Sequence, residues 1–251
     1  MPSKILRVPS AQHLARNWYE SPDRVAKELV RLFENSPTFN YNAVFSAIKD
    51  LLVLGVSYND VERGIREKVA REDVRRNFLE ILPLVRSHFD GVNPDFVNDV
   101  SPRRYPLAKG ADGGMLSIPF SPPMVYGVGG KLVFPWISFW RNNPLRGEKL
   151  QLFVTIVKEI LAQDPDLDDA EFQIHDYSAP KPKLPRELNI INAADIPTLS
   201  ASRRDEMLIQ FADGFSLAQR MINNSEAARE RQRQQERREE ERDPRQLELL
   251  T

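Results

Sequence analysis

Residues 124–140 read MVYGVGGKLVFPWISFW. Met124 to Val128 and Lys131 to Trp140 are rich in β-branched and aromatic residues, a composition typical of strands. Gly129 and Gly130 stand between them, and adjacent glycines readily adopt the positive φ angles that a two-residue hairpin turn requires. The stretch therefore predicts an antiparallel β-hairpin.

Further strands are predicted on both sides of this hairpin. Met115 to Phe120 precedes it, so the three strands together predict a β-meander. Glu171 to Tyr177 and Glu187 to Asn192 alternate apolar and polar residues, as half-buried strands do. A strongly apolar helix from about Leu145 to Gln163 separates them from the meander and is expected to lie across one sheet face.

The N-terminal third of the chain has helical periodicity instead. Ser21-Pro22 predicts a helix start, because proline at the first helical position loses no hydrogen bond. Apolar stripes continue from about Asn40 to Phe89, so residues 1–92 are predicted to form a helical bundle. Residues 93–114 contain Asn-Pro, Ser-Pro, Tyr-Pro and a glycine-rich run, all turn or extended signals, and are predicted to be a linker.

The C-terminal part combines an amphipathic helix with a charged tail. Ser202 opens a capping-box pattern, which predicts the start of this helix. Together with the predicted strands and the apolar helix before them, it predicts a sheet domain over residues 115–224, with about five strands and packed helices. In residues 226–245, seven Arg and seven acidic residues occur without any large apolar side chain. Residues 225–251 are accordingly predicted to be a charged tail, either helical or disordered. The whole chain is expected to be an α+β protein with a mixed, largely antiparallel sheet.

Composition excludes several classes of site. The 251 residues include no cysteine, which removes disulfides, thiol nucleophiles and thiolate metal centres. The 35 Lys and Arg balance the 36 Asp and Glu, so the protein is neither polybasic nor polyacidic. The start, MPSKILR, has no apolar segment of signal-peptide length, and no long apolar run follows. We therefore expect a cytoplasmic protein that has no membrane partner.

Known catalytic and cofactor motifs each fail at particular residues. The run from Gly127 to Lys131 lacks the earlier glycine of a phosphate-binding loop and has Leu132 where that loop needs Ser or Thr. The acidic run starting at Asp164 lacks the glycine and the final glutamate of a calcium loop. His13, His88 and His175 have no metalloprotease spacing, and no serine occupies a nucleophile elbow. No catalytic residue, metal ligand or cofactor site is therefore predicted.

One resemblance is carried by the order of elements between Asp73 and Tyr177. A helix, three consecutive strands, a helix and another strand is similar to the core of the PD-(D/E)XK nuclease superfamily. That resemblance implies a metal-binding acidic residue on the second strand and an acidic-x-Lys group on the third. The predicted second strand, from Met124, and the third, from Lys131, contain no carboxylate.

Charge is distributed unevenly along the chain. Residues 101–149 hold seven basic and two acidic residues, interleaved with aromatics, a combination that suits phosphate contacts and base stacking. Residues 159–176 hold seven acidic residues and no Lys or Arg. Arginines in turns or at strand ends are the expected contacts for nucleic acid or a protein partner: Arg103, Arg104, Arg141 and Arg146.

These features favour a non-catalytic interaction or regulatory protein. It is expected to work through a protein partner and, by its basic stretch, through nucleic acid. The alternative is an enzyme, a metal-dependent hydrolase or nuclease on a PD-(D/E)XK-like topology, whose unrecognised site would use Asp176 and acidic neighbours.

Overall fold

A computed structural model describes residues 5–35, 41–109, 115–167 and 169–242. The helices are α1 Ala11–Arg16, α2 Pro22–Glu34, α3 Asn42–Leu52, α4 Tyr58–Lys68, α5 Glu72–Val92, α6 Glu148–Leu161 and α7 Ala201–Arg242. The strands are β1 Phe96–Asn98, β2 Arg103–Lys109, β3 Met115–Phe120, β4 Val125–Val128, β5 Lys131–Ser138, β6 Glu171–Asp176 and β7 Asn189–Asn192. A short 3₁₀ helix, Ala193–Asp195, follows β7.

The main sheet has five strands in the order β1-β4-β5-β6-β7. Strands β5 and β6 are parallel, and α6 connects them, whereas the other three pairs are antiparallel. The predicted α+β class, with a mixed and largely antiparallel sheet of five strands, is confirmed. The turn between β4 and β5 is also as expected, because Gly129 and Gly130 have φ angles of 57° and 77°.

The first strand of the meander differs from the prediction. Strand β3 pairs with β2 in a separate two-stranded sheet, and β1 is the strand that pairs with β4. Strands β1 and β2 therefore lie within the segment predicted as a linker; its glycine-rich end, residues 110–114, is outside the described residues. Strand β1 is only three residues long and lies in a segment with several prolines. Its alternation of apolar and polar residues is therefore too short to predict a strand.

Close contact between β1 and β4 depends on Gly127. A Cβ atom added there would lie 2.2 Å from the Phe96 ring. Gly127, which in the sequence resembled part of a phosphate-binding loop, thus has a packing role: it lets the Phe96 side chain cover the backbone of β4.

Two hydrophobic cores lie on opposite faces of the main sheet. The first contains α1, α2, α6, α7 and the β2–β3 hairpin, and Phe134 of β5 belongs to it. The second contains α3, α4 and α5, together with Val133 and Ile137 of the same strand. Alternate side chains of a strand point to opposite faces, so β5 separates the two cores.

The N-terminal helices consequently do not form one bundle. Helix α2 packs against α7 and α1 packs against α6, while α3, α4 and α5 contact one another on the other face. Apolar stripes predicted α2 to α5 but not the short α1, and they contained no information about partners, because any amphipathic helix can bury its stripe against any apolar surface.

Helix α6 lies in the first core, as predicted, with eight of its residues buried. Within the described residues, no helix combines the length and the apolar character needed to cross a lipid bilayer.

Helix α7 contributes buried residues as far as Ile222. Its N-terminus is capped by Ser200, whose hydroxyl accepts a hydrogen bond from the Arg203 amide at 3.2 Å, rather than by Ser202. The helix continues to Arg242, so the predicted charged tail is helical over its described part.

Gly214 allows α2 and α7 to approach closely. A Cβ atom at this position would lie 2.6 Å from Cβ of Val25 and 2.8 Å from the Pro22 carbonyl oxygen. We predict that Gly214→Ala lowers the free energy of unfolding by about 1–3 kcal/mol because it overpacks this contact. Urea-induced unfolding followed by circular dichroism measures the change.

Gly64→Ala is the matched control. Gly64 also lies within a helix, α4, but a Cβ atom there meets nothing within 4 Å. Alanine should therefore stabilise the protein by about 0.5–1 kcal/mol through its higher helix propensity. If Gly214→Ala were equally stabilising, the close contact between α2 and α7 would be wrong.

Candidate functional site

A cavity of about 600 Å³ opens beyond the C-terminal end of β5. Helix α1, the start of α3 and the loop between β3 and β4 form its other walls. Ligand sites for small molecules commonly have volumes of about 300–1,000 Å³. Its aromatic lining residues are Tyr41, Phe45, Trp136, Phe139 and Trp140; its polar lining residues are Gln12, His13, Arg16, Asn42, Ser121 and Ser138. We call it the aromatic cavity.

The aromatic cavity exists because β5 leaves the sheet between the two cores. Trp136 stacks on Phe120 of the first core, with ring centroids 5.5 Å apart. Phe139 belongs to the second core and packs against Tyr41 and Phe45, each at 5.2 Å between centroids. Side chains that point to opposite faces within the strand therefore meet around one space at its end.

Two residues that line this space each contain a buried polar atom without a partner. Gln12 and Ser138 are 8% and 6% exposed, and the oxygen atoms Oε1 of Gln12 and Oγ of Ser138 have no hydrogen-bond partner among the described residues. A buried polar atom that lacks a partner costs about 1–3 kcal/mol.

The wall formed by α1 is neutral at His13 and positive at Arg16. Burial, assisted by the nearby Arg16 charge, lowers the pKa of His13 to about 4, so its imidazole is neutral at pH 7. His13 contacts Trp140 edge-on, and the Arg16 guanidinium lies over the same indole at 5.2 Å from its centroid. Among the described residues, none of those that line the cavity carries a carboxylate.

Arg16 also belongs to a group of three neighbouring cations, Arg16, Arg24 and Lys149, which we call the cationic corner. Lys149 Nζ donates a 2.8 Å hydrogen bond to the Arg16 carbonyl oxygen. Arg24 and Lys149 lie over the ring of Tyr19, at 4.2 and 4.3 Å from its centroid.

The three charges influence one another, and the Glu28 carboxylate partly offsets their effect on Lys149. Burial lowers the pKa of Lys149 from its ordinary value, and the charges of Arg24 and Arg16 lower it further. Glu28 is the neighbouring carboxylate, but it accepts hydrogen bonds from Arg31 at 2.9 and 2.5 Å. No ion pair joins the cationic corner to a carboxylate in the part of the chain that the structure describes.

The four arginines predicted from sequence are not brought together into one cluster. Arg103 pairs with Asp164 just beyond the C-terminal end of α6, whereas Arg146 is exposed before its N-terminal end. The 14 residues of α6 span about 21 Å at 1.5 Å per residue. Arg104 is exposed and donates to Ser117 Oγ at 3.2 Å. Arg141 pairs with Glu80 at 2.8 Å.

Sequence reasoning counted Lys149 in the basic stretch but missed Arg16 and Arg24. Both lie in the N-terminal helices, where residues 16–34 hold four basic and four acidic residues, so the charge balances over that stretch. The available signal was local: Arg16, Trp18, Tyr19 and Arg24 interleave cations and aromatics within nine residues. The contact of α1 with α6 then places Arg16 beside Lys149, 133 residues further along the chain.

The residues that a hydrolase or nuclease site would use do not form a comparable group. Asp176 is buried and accepts hydrogen bonds from Asn143 at 2.8 Å and from the Ser178 hydroxyl at 3.1 Å, so its partners are neutral rather than acidic. Strands β4 and β5, which correspond to the second and third strands of the predicted meander, contain no carboxylate. Among the described residues, no three His, Asp or Glu side chains are grouped to hold a metal ion. Asp168 of the acidic loop is outside the described residues.

Arg186 holds the end of β5 that forms the cavity wall. Its side chain is 1% exposed and donates hydrogen bonds to the carbonyl oxygens of Phe139 and Trp140 at 3.1 and 3.3 Å, and of Tyr177 at 2.6 Å. Glu80 of α5 lies 3.5 Å from its Nε atom. Burial lowers the pKa of Arg186 from its ordinary value, and the Glu80 charge opposes that shift.

Comparisons with known proteins add no functional information. No family model matches the sequence, and no curated protein matches it. Five chains of solved structures match. One, described as the crystal structure of SSO0001, is 10% identical and aligns over 74% of this chain and 82% of its own, with a TM-score of 0.33. A likeness this weak carries no argument about fold or activity.

We predict that Arg186→Leu lowers the free energy of unfolding by about 3–5 kcal/mol, because it leaves three buried carbonyl oxygens without their donor and removes one of the two cations beside Glu80. Arg141→Leu is the control: Arg141 contacts the same Glu80 but is exposed, so its loss should cost at most about 1 kcal/mol. Urea-induced unfolding compares both variants with the parent. Equal losses would contradict the central role assigned to Arg186.

The three histidines predict acid sensitivity. Burial lowers the pKa of His13 to about 4, that of His175 to about 3, and that of His88 in the same direction. Between pH 6.5 and 4 the unfolded chain therefore binds more protons than the folded chain, and stability falls as the pH falls. Urea unfolding at pH 7 and pH 5 should show the loss.

His175→Phe removes the most buried of these imidazoles, which is 0% exposed. This variant should have a smaller difference in unfolding free energy between pH 7 and pH 5 than the parent, whatever its stability at pH 7. An unchanged difference would show that His175 does not contribute to the pH dependence.

Proposed function

We propose that this is a non-catalytic cytoplasmic interaction protein that binds single-stranded nucleic acid through the cationic corner and the aromatic cavity. The observation that carries the proposal is the position of Arg16, which lines the aromatic cavity and also belongs to the cationic corner. Phosphate-binding charge and base-stacking surface are therefore continuous.

The cationic corner supplies the phosphate contacts in this proposal. Arg16, Arg24 and Lys149 have no carboxylate partner among the described residues, so binding a phosphate need not first break an ion pair. By contrast, Arg103 and Arg141 already pair with Asp164 and Glu80. Cations that track a backbone beside aromatic rings are typical of proteins that bind single strands.

A single strand fits better than a duplex because the rings line a recess. Trp136 and Trp140 are half-buried within the aromatic cavity rather than displayed on an open face. A paired base remains stacked inside its duplex and cannot enter a recess without unpairing. A regulatory role would follow from occupying or releasing a single strand, without chemistry on it.

Fluorescence anisotropy with labelled single-stranded and duplex oligonucleotides at several salt concentrations tests the proposal. The parent should bind the single strand more tightly, and its affinity should fall as salt rises. In the triple variant Arg16→Gln, Arg24→Gln and Lys149→Gln, the log–log salt slope should decrease by about 2, since each phosphate contact on a single strand contributes about 0.7.

The matched control neutralises the arginines predicted from sequence: Arg103→Ala, Arg104→Ala, Arg141→Ala and Arg146→Ala. If this variant loses binding while the folded triple variant retains it, the nucleic-acid surface is at the sequence-predicted residues. If the parent binds no oligonucleotide at low salt, the proposal is wrong, and the cationic corner becomes a candidate docking site for an acidic protein. Cleavage of the oligonucleotide with magnesium or manganese would overturn the non-catalytic assignment.

A further inference from the structure

We infer that the cationic corner binds a phosphate monoester at one end of the single strand, so that the protein recognises phosphorylated strand ends. This inference rests on the proposed function and names the part of the strand that its site holds. A phosphate monoester carries roughly −1.5 to −2 charges at pH 7 and has three acceptor oxygens. A phosphodiester within the strand carries a single charge and has fewer free oxygens.

The three cations of the corner converge from separate helices. Arg24 of α2 and Lys149 of α6 share the ring of Tyr19, at 4.2 and 4.3 Å from its centroid. Laid end to end, these distances put the two cationic groups at most about 8.5 Å apart. Lys149 Nζ also donates a 2.8 Å hydrogen bond to the carbonyl oxygen of Arg16, on α1. Such convergence suits one multiply charged group.

The carboxylates nearest to the corner are already held by other arginines. Glu28 accepts hydrogen bonds from Arg31 at 2.9 and 2.5 Å, one to each of its oxygens. Glu148, which precedes Lys149, accepts two hydrogen bonds from Arg203, both at 2.8 Å and again one to each oxygen. Forked pairs of this kind are the strongest contacts between arginine and a carboxylate. The cationic corner therefore keeps an excess of positive charge, which a dianion offsets more fully than a monoanion.

Lys149 is a cation that a bound dianion would stabilise. It is half-buried, and burial together with the charges of Arg24 and Arg16 lowers the pKa of its ammonium group. Lost hydration and repulsion from like charges thus both act against the charged lysine in the free protein. An anion bound among the three cations would replace the lost hydration with hydrogen bonds and offset the repulsion.

The recess beside the corner favours a strand end over an internal nucleotide. Arg16 lines the aromatic cavity, lies over Trp140 and is joined through its carbonyl oxygen to Lys149. A nucleotide within a strand has backbone on both sides, so the chain must enter the recess and leave it again. The last nucleotide has backbone on one side only. Its base can occupy the cavity and its terminal phosphate the corner, while the strand continues in one direction.

The test uses the full chain and one single-stranded oligonucleotide prepared with different ends: hydroxyl groups only, a 5′-phosphate, or a 3′-phosphate. At least one phosphorylated form should bind about tenfold more tightly than the hydroxyl form, the factor that one hydrogen bond to a charged group supplies. The two phosphorylated forms show which end is recognised. Fluorescence anisotropy with an internal label measures each affinity.

Two further ligands separate a strand end from other sources of phosphate. A methyl ester of the preferred terminal phosphate keeps one negative charge but is a diester, so it should lose most of the tenfold gain. A free nucleoside monophosphate, added as a competitor, should bind more weakly than the phosphorylated strand, because it lacks the remaining backbone contacts.

Variants assign the gain to the corner. Arg24→Gln with Lys149→Gln should make the hydroxyl and phosphorylated strands bind equally. Arg24→Gln alone changes an exposed residue and should reduce the gain even if the double variant does not fold. The matched control, Arg63→Gln with Arg66→Gln, removes two exposed charges from α4 on the opposite face of the sheet and should keep the gain. Circular dichroism checks the fold of each variant.

The outcomes separate this inference from the proposed function. If hydroxyl and phosphorylated strands bind equally, with a salt slope that depends on the cationic corner, nucleic-acid binding stands and end recognition is refuted. End recognition is also refuted if the methyl ester binds as tightly as the monoester, or if the α4 control loses the gain as the corner variants do. If the free mononucleotide binds as tightly as the strand, or if no strand binds, the proposed function itself fails.

Discussion

The buried guanidinium of Arg186 is the interaction on which the arrangement of the sheet and of the candidate site depends. The parallel pair β5–β6 ends at Ser138 and Asp176, and the carbonyl groups of the next residues have no strand partner there. Arg186 supplies the donors for three of those carbonyl oxygens, and Glu80 of α5 supplies the opposing charge. Because buried carbonyl groups are costly to leave unpaired, one side chain fixes the strand ends to each other and to α5.

The aromatic cavity follows from this fixed strand end. Within the sheet, β5 separates two cores, and its alternate residues are buried on opposite sides. Beyond Ser138 the strand pairing stops, yet Arg186 still holds the backbone at Phe139 and Trp140. Trp136 and Trp140 therefore pack against the first core and Phe139 lies in the second, so the recess opens between them.

Charge distribution separates the candidate site from the rest of the surface. Many arginines of this protein are satisfied by nearby carboxylates, often three or four residues away on the same helix, as Arg31 is by Glu28 and Arg66 by Glu62. Such pairs cancel charge locally, and the net charge of −1 is the difference between the 35 basic and 36 acidic residues of the chain. Arg16, Arg24 and Lys149 come from three different helices and face one another, an arrangement that raises the local positive potential.

The sequence by itself determined the elements whose signals are local. The glycine pair at 129–130, the apolar periodicity of α6 and the alternation of β6 each depend on neighbours within a few residues, and the corresponding turn, helix and strand are present. Only the tertiary structure decided which elements are partners: that β1 rather than β3 pairs with β4, that α2 packs against α7, and that Arg16 lies beside Lys149. The candidate site depends entirely on such distant pairs, which is why the sequence-predicted basic stretch includes Trp136, Phe139 and Trp140 but not Tyr41, Phe45, Arg16 or Arg24. The physical reason is that the periodicity of a segment reports which of its faces is buried, whereas its partner is selected by the packing and hydrogen bonding of the whole chain.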